Sequence, residues 1–280
     1  MYKRILAAVN EHINSEVSAR YAMQLARATG ARMYVCYVAE KEAPEKSLET
    51  AEDAVKRLFN SSKDLGIDTE SVVETGRPLE KIREFAASEK IDIAFIATRR
   101  EDVYRRFYAG TVARRLLVSL PCSVALVRVV HMGRISPRNI LVPLKARVDH
   151  INERSYFTAM LANSFRAGVN LFHTTKPITK FFHGEIDLTP LEWNSRLPHD
   201  LLRFVDRLEE YGIVHEKRLM PGRAGREIAI EAASKRSDLI ILGASERSLL
   251  NTLLRGNPVE DLMRRTPCNL IILKPRHEHK

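Results

Sequence analysis

Short, uniformly apolar runs alternate along the chain with longer stretches in which apolar residues return every three or four positions. The run ILAAV at 5–9 ends at Asn10, and the stretch after it predicts a helix capped by Ser15 and stopped by Gly30, with Val17, Tyr21, Met23, Leu25 and Ala26 mainly on one side. MYVCYVA at 33–39 predicts a second strand. Beyond Pro44, the residues Ala51, Val55, Leu58 and Phe59 form the apolar stripe of an amphipathic helix over 47–65, ended by Gly66. TESVVE at 69–74 reaches the turn Gly76-Arg77-Pro78, a helix over 79–89 buries Ile82, Phe85 and Ala86, and IAFIA follows at 93–97. After a polar, basic connection, Gly110-Thr111 opens a helix that lasts until Pro121, and SVALVRVV at 123–130 is the fifth strand. Runs this short and this apolar describe strands buried on both faces. Strands alternating with helices describe right-handed, parallel βαβ crossovers.

The pattern then repeats. Gly76, Asp92, Gly110, Leu116, Pro121 and Cys122 meet Gly222, Asp238, Gly256, Leu262, Pro267 and Cys268, each 146 positions later and without a gap. Ile140-Leu141-Val142 answers Ile5-Leu6-Ala7 at an offset of 135, a helix runs through 161–166, and a strand covers 169–173. The second half therefore carries a net insertion of 11 residues, most of it within 174–198. That insertion holds Phe181, Phe182 and Trp193, which suit either a binding lid or a local packing plug. The aperiodic segment 131–138, with Gly133 and Pro137, marks the boundary between a first domain at 1–132 and a second at 138–276. The fold class is α/β, with two doubly wound, five-stranded parallel-sheet domains.

Composition narrows the class further. No apolar run approaches the length of a membrane span, and the start MYKRILAAVN is a strand pattern and not a signal peptide. Cys36, Cys122 and Cys268, odd in number and set in or beside apolar runs, read as buried, reduced thiols of a cytoplasmic protein. The net charge of +10 is spread over both halves, which favours acidic ligands in general without specifying nucleic acid. The final strands, 123–130 and 269–274, would each be an exposed apolar edge if a half stood alone, and pairing one with the other removes both.

Taken together, two copies of ILxAV or ILVPL, a helix, a strand, Gly-Arg before a helix, an aspartate-led strand, a Gly-Thr or Gly-Asn helix start and Pro-Cys before the last strand resemble a tandem universal stress protein. The resemblance covers nearly the whole chain. It implies an adenine nucleotide alpha hydrolase-like fold with strand order 3-2-1-4-5 in each domain. Single domains of that family dimerise through the final strand, so the resemblance implies an internal pseudo-dimer with approximate twofold symmetry and leaves further homodimerisation open. Family members often bind ATP or AMP through GxxG, nine residues, then Gly-Ser or Gly-Thr, with an aspartate at the end of the first strand.

Both halves depart from that pattern. It falls on Ala97, Arg100, Gly110 and Thr111 in the first half, and on Gly243, Glu246, Gly256 and Asn257 in the second. The aspartate position holds Asn10 in one half and Lys145 in the other, and Val38 matches the place where the family's backbone approaches adenine. Glycines let backbone N–H groups close around phosphate oxygens, and a helix N-terminus adds a favourable dipole. Hydrogen bonds to charged groups contribute roughly 1.5–3 kcal/mol each, so losing two weakens binding by about a hundredfold to ten-thousandfold. Glu246 would repel phosphate, whereas Arg99 and Arg100 would attract it. The expectation is at most one weak adenine nucleotide site, in the first half, built with Arg99, Arg100, Gly110 and Thr111.

Other chemistry is thinner. Arg99, Arg100, Arg105, Arg106, Arg114 and Arg115, with Tyr104, Phe107 and Tyr108 among them, form a basic aromatic stretch that reads better as a solvated loop and helix face than as a nucleic-acid site. No phosphate loop of the GxxxxGK type occurs, the histidines lack ligand spacing, and no nucleophile and base pair stands out. The reading is thus a non-enzymatic regulatory or ligand-sensing module of stress response, without metal. The alternative is a nucleotide-free scaffold whose aromatic insertion and basic loop dock a protein partner.

Overall fold

A computed structural model of the 280-residue chain describes residues 1–98, 111–133, 135–175, 197–222, 224–244 and 258–276. The first half runs β1 (Arg4–Val9), α1 (Ile13–Thr29), β2 (Arg32–Ala39), α2 (Glu45–Asp64), β3 (Thr69–Thr75), α3 (Pro78–Ser88), β4 (Ile93–Ala97), α4 (Val112–Ser119) and β5 (Ser123–Arg128). The second runs β6 (Asn139–Leu144), α5 (Ile151–Phe165), β7 (Gly168–Thr175), α6 (His199–Glu210), β8 (His215–Pro221), α7 (Ala224–Ser234), β9 (Leu239–Gly243), α8 (Pro258–Arg265) and β10 (Asn269–Lys274).

The strands form one sheet in the order β3-β2-β1-β4-β5-β10-β9-β6-β7-β8, which is 3-2-1-4-5 in each half. Every pairing is parallel except β5 with β10, which run antiparallel with Val127 opposite Ile271 and Leu126 opposite Ile272. Side chains alternate across the sheet: Ile5, Ala7, Ile93, Phe95, Ala125 and Val127 enter one core, and Leu6, Ala94, Ile96, Val124 and Leu126 enter the other. Both faces are buried, which is why the strands read as unbroken apolar runs.

The repeated aspartates have a structural task. Asp92 Oδ2 accepts from the backbone N–H groups of Lys3 and Arg4 at 2.7 and 2.9 Å, and Asp238 Oδ2 accepts from those of Arg138 and Asn139 at 2.8 and 2.9 Å. Each carboxylate ties the start of the fourth strand to the start of the first. The repeated glycines before the third helix of each half, Gly76 and Gly222, hold φ of 143° and 153°, a conformation that other residues rarely adopt.

Several sequence expectations shift in detail. Ser15 is not the cap of α1: the helix starts at Ile13, three residues earlier than that cap implies, with His12 at the cap position. Ser15 instead accepts from the Asn10 N–H at 3.0 Å and donates to the Asn10 and His12 carbonyls, so it fastens the first turn to the end of β1. Phe59 is only half-buried, beneath the Lys63 ammonium at 4.5 Å, and Ala54 and Ser62 complete the buried stripe of α2. Arg166 lies outside α5, ending it in the left-handed conformation, and β5 stops at Arg128 because Val130 and His131 turn their N–H groups to Asn269 Oδ1 at 2.8 and 3.0 Å.

The seam between the halves is closed by aromatic packing and hydrogen bonds. Phe157 of α5 packs on Tyr2 and Phe95, and Phe165 meets the edge of Tyr21. Glu153 of α5 accepts from the Tyr2 hydroxyl at 2.9 Å and from the Ser123 hydroxyl, which itself accepts from the Arg276 N–H at 2.7 Å. Burial first and Glu153 second push the Tyr2 phenol well above its ordinary range. Cys36, Cys122 and Cys268 are buried free thiols, each pushed up to about 12 by desolvation.

Candidate functional site

In a doubly wound sheet, β1 leads to its crossover on one side and β4 arrives from the other, so their C-terminal ends part and leave a crevice. In the first half that crevice is a cavity of about 680 Å³. Its floor is apolar, from Val9, Val38, Ile82, Ile96, Ala97 and Leu116, and Thr111 and Val112 at the start of α4 form one wall. The size and lining suit a drug-sized or nucleotide-sized ligand.

Four of the residues singled out from sequence, Asn10, Val38, Ala97 and Thr111, line this one cavity. Thr111 is the N-cap of α4 and accepts from the Arg114 N–H at 3.3 Å, as expected of its place in the pattern. Asn10 behaves differently from an aspartate that faces a ligand. Its Oδ1 accepts from the His12 N–H at 3.0 Å, which engages that oxygen in the turn before α1. Arg99, Arg100, Gly110, Gly256 and Asn257 lie outside the described residues, as do Glu246, the aromatic insertion and most of the basic stretch.

What sequence reasoning missed is the rim. Glu11, Glu40 and Glu42 line the crevice, and the described lining contains no lysine, arginine or histidine. Their positions follow from loop geometry: the connection after β2 folds over the pocket mouth, and nothing in a single short acidic loop announces this.

The second half builds the same place from different material. Lys145 and Gly243 line a cavity of about 30 Å³ together with Arg147, Asp149, His150, Arg154, Ala244 and Pro275. Its occupant is Arg154, in the first turn of α5. A Cβ on Gly243 would overlap the Arg154 guanidinium, so the glycine admits the chain's own side chain. Counting back from the left-handed residues that end the two helices, Gly30 and Arg166, Arg154 stands where the first half has the buried Ser18. The Arg154 side chain reaches the surface only in part and its guanidinium is packed away from water, which lowers its pKa to about 10, against a smaller opposing effect of Asp149. Gly243 was legible from the pattern; Arg154 was visible only as a charged residue in place of a small one.

Among the described residues no group of histidine, cysteine and carboxylate side chains is arranged to hold a metal ion. No helix among them is long and apolar enough to cross a membrane.

A continuous sheet built from two doubly wound α/β halves, each with its crevice at the strand ends, defines a tandem α/β protein. The universal stress protein family matches residues 1–128 and 157–274, and the chain belongs to that family. A universal stress protein of Thermus aquaticus is 28% identical over 137 residues, covering 46% of this chain and 100% of that protein. One from Methanocaldococcus jannaschii is 23% identical over 141 residues, covering 46% of this chain and 83% of its own. The crystal structure of a universal stress protein from Archaeoglobus fulgidus superposes over 98% of this chain and 96% of its own, with a TM-score of 0.64 at 14% identity, which is a likeness of fold.

Proposed function

We propose that this chain is a non-enzymatic, ligand-sensing module of stress response with a single adenine nucleotide site, in its first half. The observation that carries the reading is the difference between the two crevices: about 680 Å³ in the first half against about 30 Å³ in the second. Adenine would lie on the apolar floor beside the Val38 backbone, and the phosphate end would point to Thr111 at the start of α4, where the helix dipole favours negative charge. Glu11, Glu40 and Glu42 oppose a polyphosphate, so affinity for ATP depends on Arg99 and Arg100. AMP, with less charge to place, is expected to bind at least as well as ATP.

The domains are read as 1–132 and 138–276, joined as an internal pseudo-dimer in the cytoplasm; the antiparallel ladder between β5 and β10 supports that arrangement. Calorimetric titration of the full chain with AMP and ATP tests the nucleotide reading, with Ala97→Phe to fill the crevice and Arg100→Glu to reverse the charge. Binding in the parent protein that Ala97→Phe abolishes supports it. Absence of heat with either nucleotide, together with no nucleotide released on denaturation, rejects it in favour of a nucleotide-free scaffold. The acidic rim is the feature that favours that second reading.

A further inference from the structure

The nucleotide reading leaves the second half without a ligand, yet its crevice concentrates positive charge. Lys145, Arg147 and Arg154 face one small cavity, with His150 beside them and Asp149 as the acidic residue of its described lining. Asp149 Oδ1 lies 4.0 Å from Arg147 Nε, at the outer limit of an ion pair, and its effect on Arg154 is smaller than that of burial. Among the described residues, neither Lys145 nor Arg154 has a carboxylate within ion-pair distance. A buried guanidinium without a partner is costly, and structures that keep one generally supply an acceptor.

The remaining geometry favours an anion as that acceptor. The cavity sits at the N-terminus of the 15-residue α5, whose cap residue His150 makes no side-chain hydrogen bond to the first turn. The acidic residue of that turn, Glu153, is turned away to Tyr2 and Ser123 at the seam. The helix dipole and its free N–H groups therefore act in the same direction as the side chains. Because Arg154 lies across Gly243 and about 30 Å³ is left, adenosine does not fit.

We propose that the second half binds a small tetrahedral oxyanion of the inorganic phosphate class, held by the Arg154 guanidinium and the Lys145 ammonium at the N-terminus of α5. Lys145, Arg147 and Asp149 sum to +1, and Arg154 brings the local charge to +2, which matches a phosphate dianion. Arginine's planar fork suits two oxygens of such an anion at once. The site is separate from the first-half crevice, so it stands or falls independently of the nucleotide reading.

Calorimetric titration of the full chain with sodium phosphate, in a phosphate-free buffer of low ionic strength, tests it. One saturable site is expected, with sulfate competing. Arg154→Met should weaken binding tenfold or more and Lys145→Met several-fold, since each removes a charged donor. Ala97→Phe, in the other half, should leave phosphate binding unchanged. Lys145 is exposed, so its variant still decides the matter if Arg154→Met disturbs the fold. The proposal is overturned if the parent protein shows no saturable phosphate binding, if both variants bind as the parent does, or if Ala97→Phe removes the binding.

Discussion

Replacing Arg154 by methionine should make the ligand-free protein more stable. Methionine keeps the apolar stem of the side chain but ends short of the Nε, Cζ and Nη2 atoms that face Gly243, so it removes the desolvated charge together with that packing. The drop from arginine's ordinary range to about 10 comes first from burial. At about 1.4 kcal/mol per pH unit, a fall of roughly two to three pH units sets a ceiling of about 4 kcal/mol on what the charge costs the native state. Partial exposure screens that cost, so a gain of about 1–3 kcal/mol is expected. The sign follows from linkage. Below pH 10 both folded and unfolded chains carry the proton, so the penalty is fully present; it fades only as pH rises past the folded value. The gain should therefore be constant between pH 6 and 9, a range chosen to lie below about 10. Urea denaturation of parent and variant at several pH values measures it directly. Added phosphate should raise the midpoint of the parent and move that of the variant much less at the same concentration. A variant less stable than the parent by about 1 kcal/mol or more would refute the reasoning, because it would make the guanidinium a structural anchor and not an unpaired charge awaiting an anion.

Three further outcomes are expected. Thr111→Ala removes the N-cap acceptor of α4 and should cost about 1 kcal/mol in urea denaturation, with weaker AMP binding by calorimetry. Glu153→Ala deprives the Tyr2 and Ser123 hydroxyls of their shared acceptor at the seam, and should cost about 2–3 kcal/mol in the same assay; an unchanged midpoint would mean water replaces the carboxylate without loss. The three thiols, raised to about 12, should resist a thiol reagent at pH 8 until denaturant is added. Their contribution to stability is intact below the ordinary thiol range and is lost as pH climbs towards 12, so the denaturation midpoint should fall across that alkaline window.

The alternation of short apolar runs with amphipathic stretches was enough to define the fold, because a strand buried on both faces and a crossover helix each leave a periodic signature that needs no partner to be read. The constant offset of 146 residues did the same for the repeat, and Asp92 and Asp238 recur in it because each half anchors its first strand to its fourth, β1 to β4 and β6 to β9, by one pair of backbone hydrogen bonds. Thr111 as a helix cap was legible for the same reason: a capping hydroxyl acts on its own neighbours. The cap of α1 was misplaced at Ser15, whose hydroxyl turns back to Asn10, since a serine near a helix start has several local partners of similar energy.

What only the tertiary structure decided is how each crevice is filled and charged. Glu40 and Glu42 reach the first crevice because the loop after β2 lies over it, and Arg154 enters the second because Gly243, nearly ninety positions further on, leaves space for it. Such contacts join residues from separate crossovers, and no local periodicity encodes them. A chain that repeats one pattern can thus build one backbone twice and still give its two halves opposite electrostatics, because fold depends on where apolar residues recur while a site depends on which side chains meet.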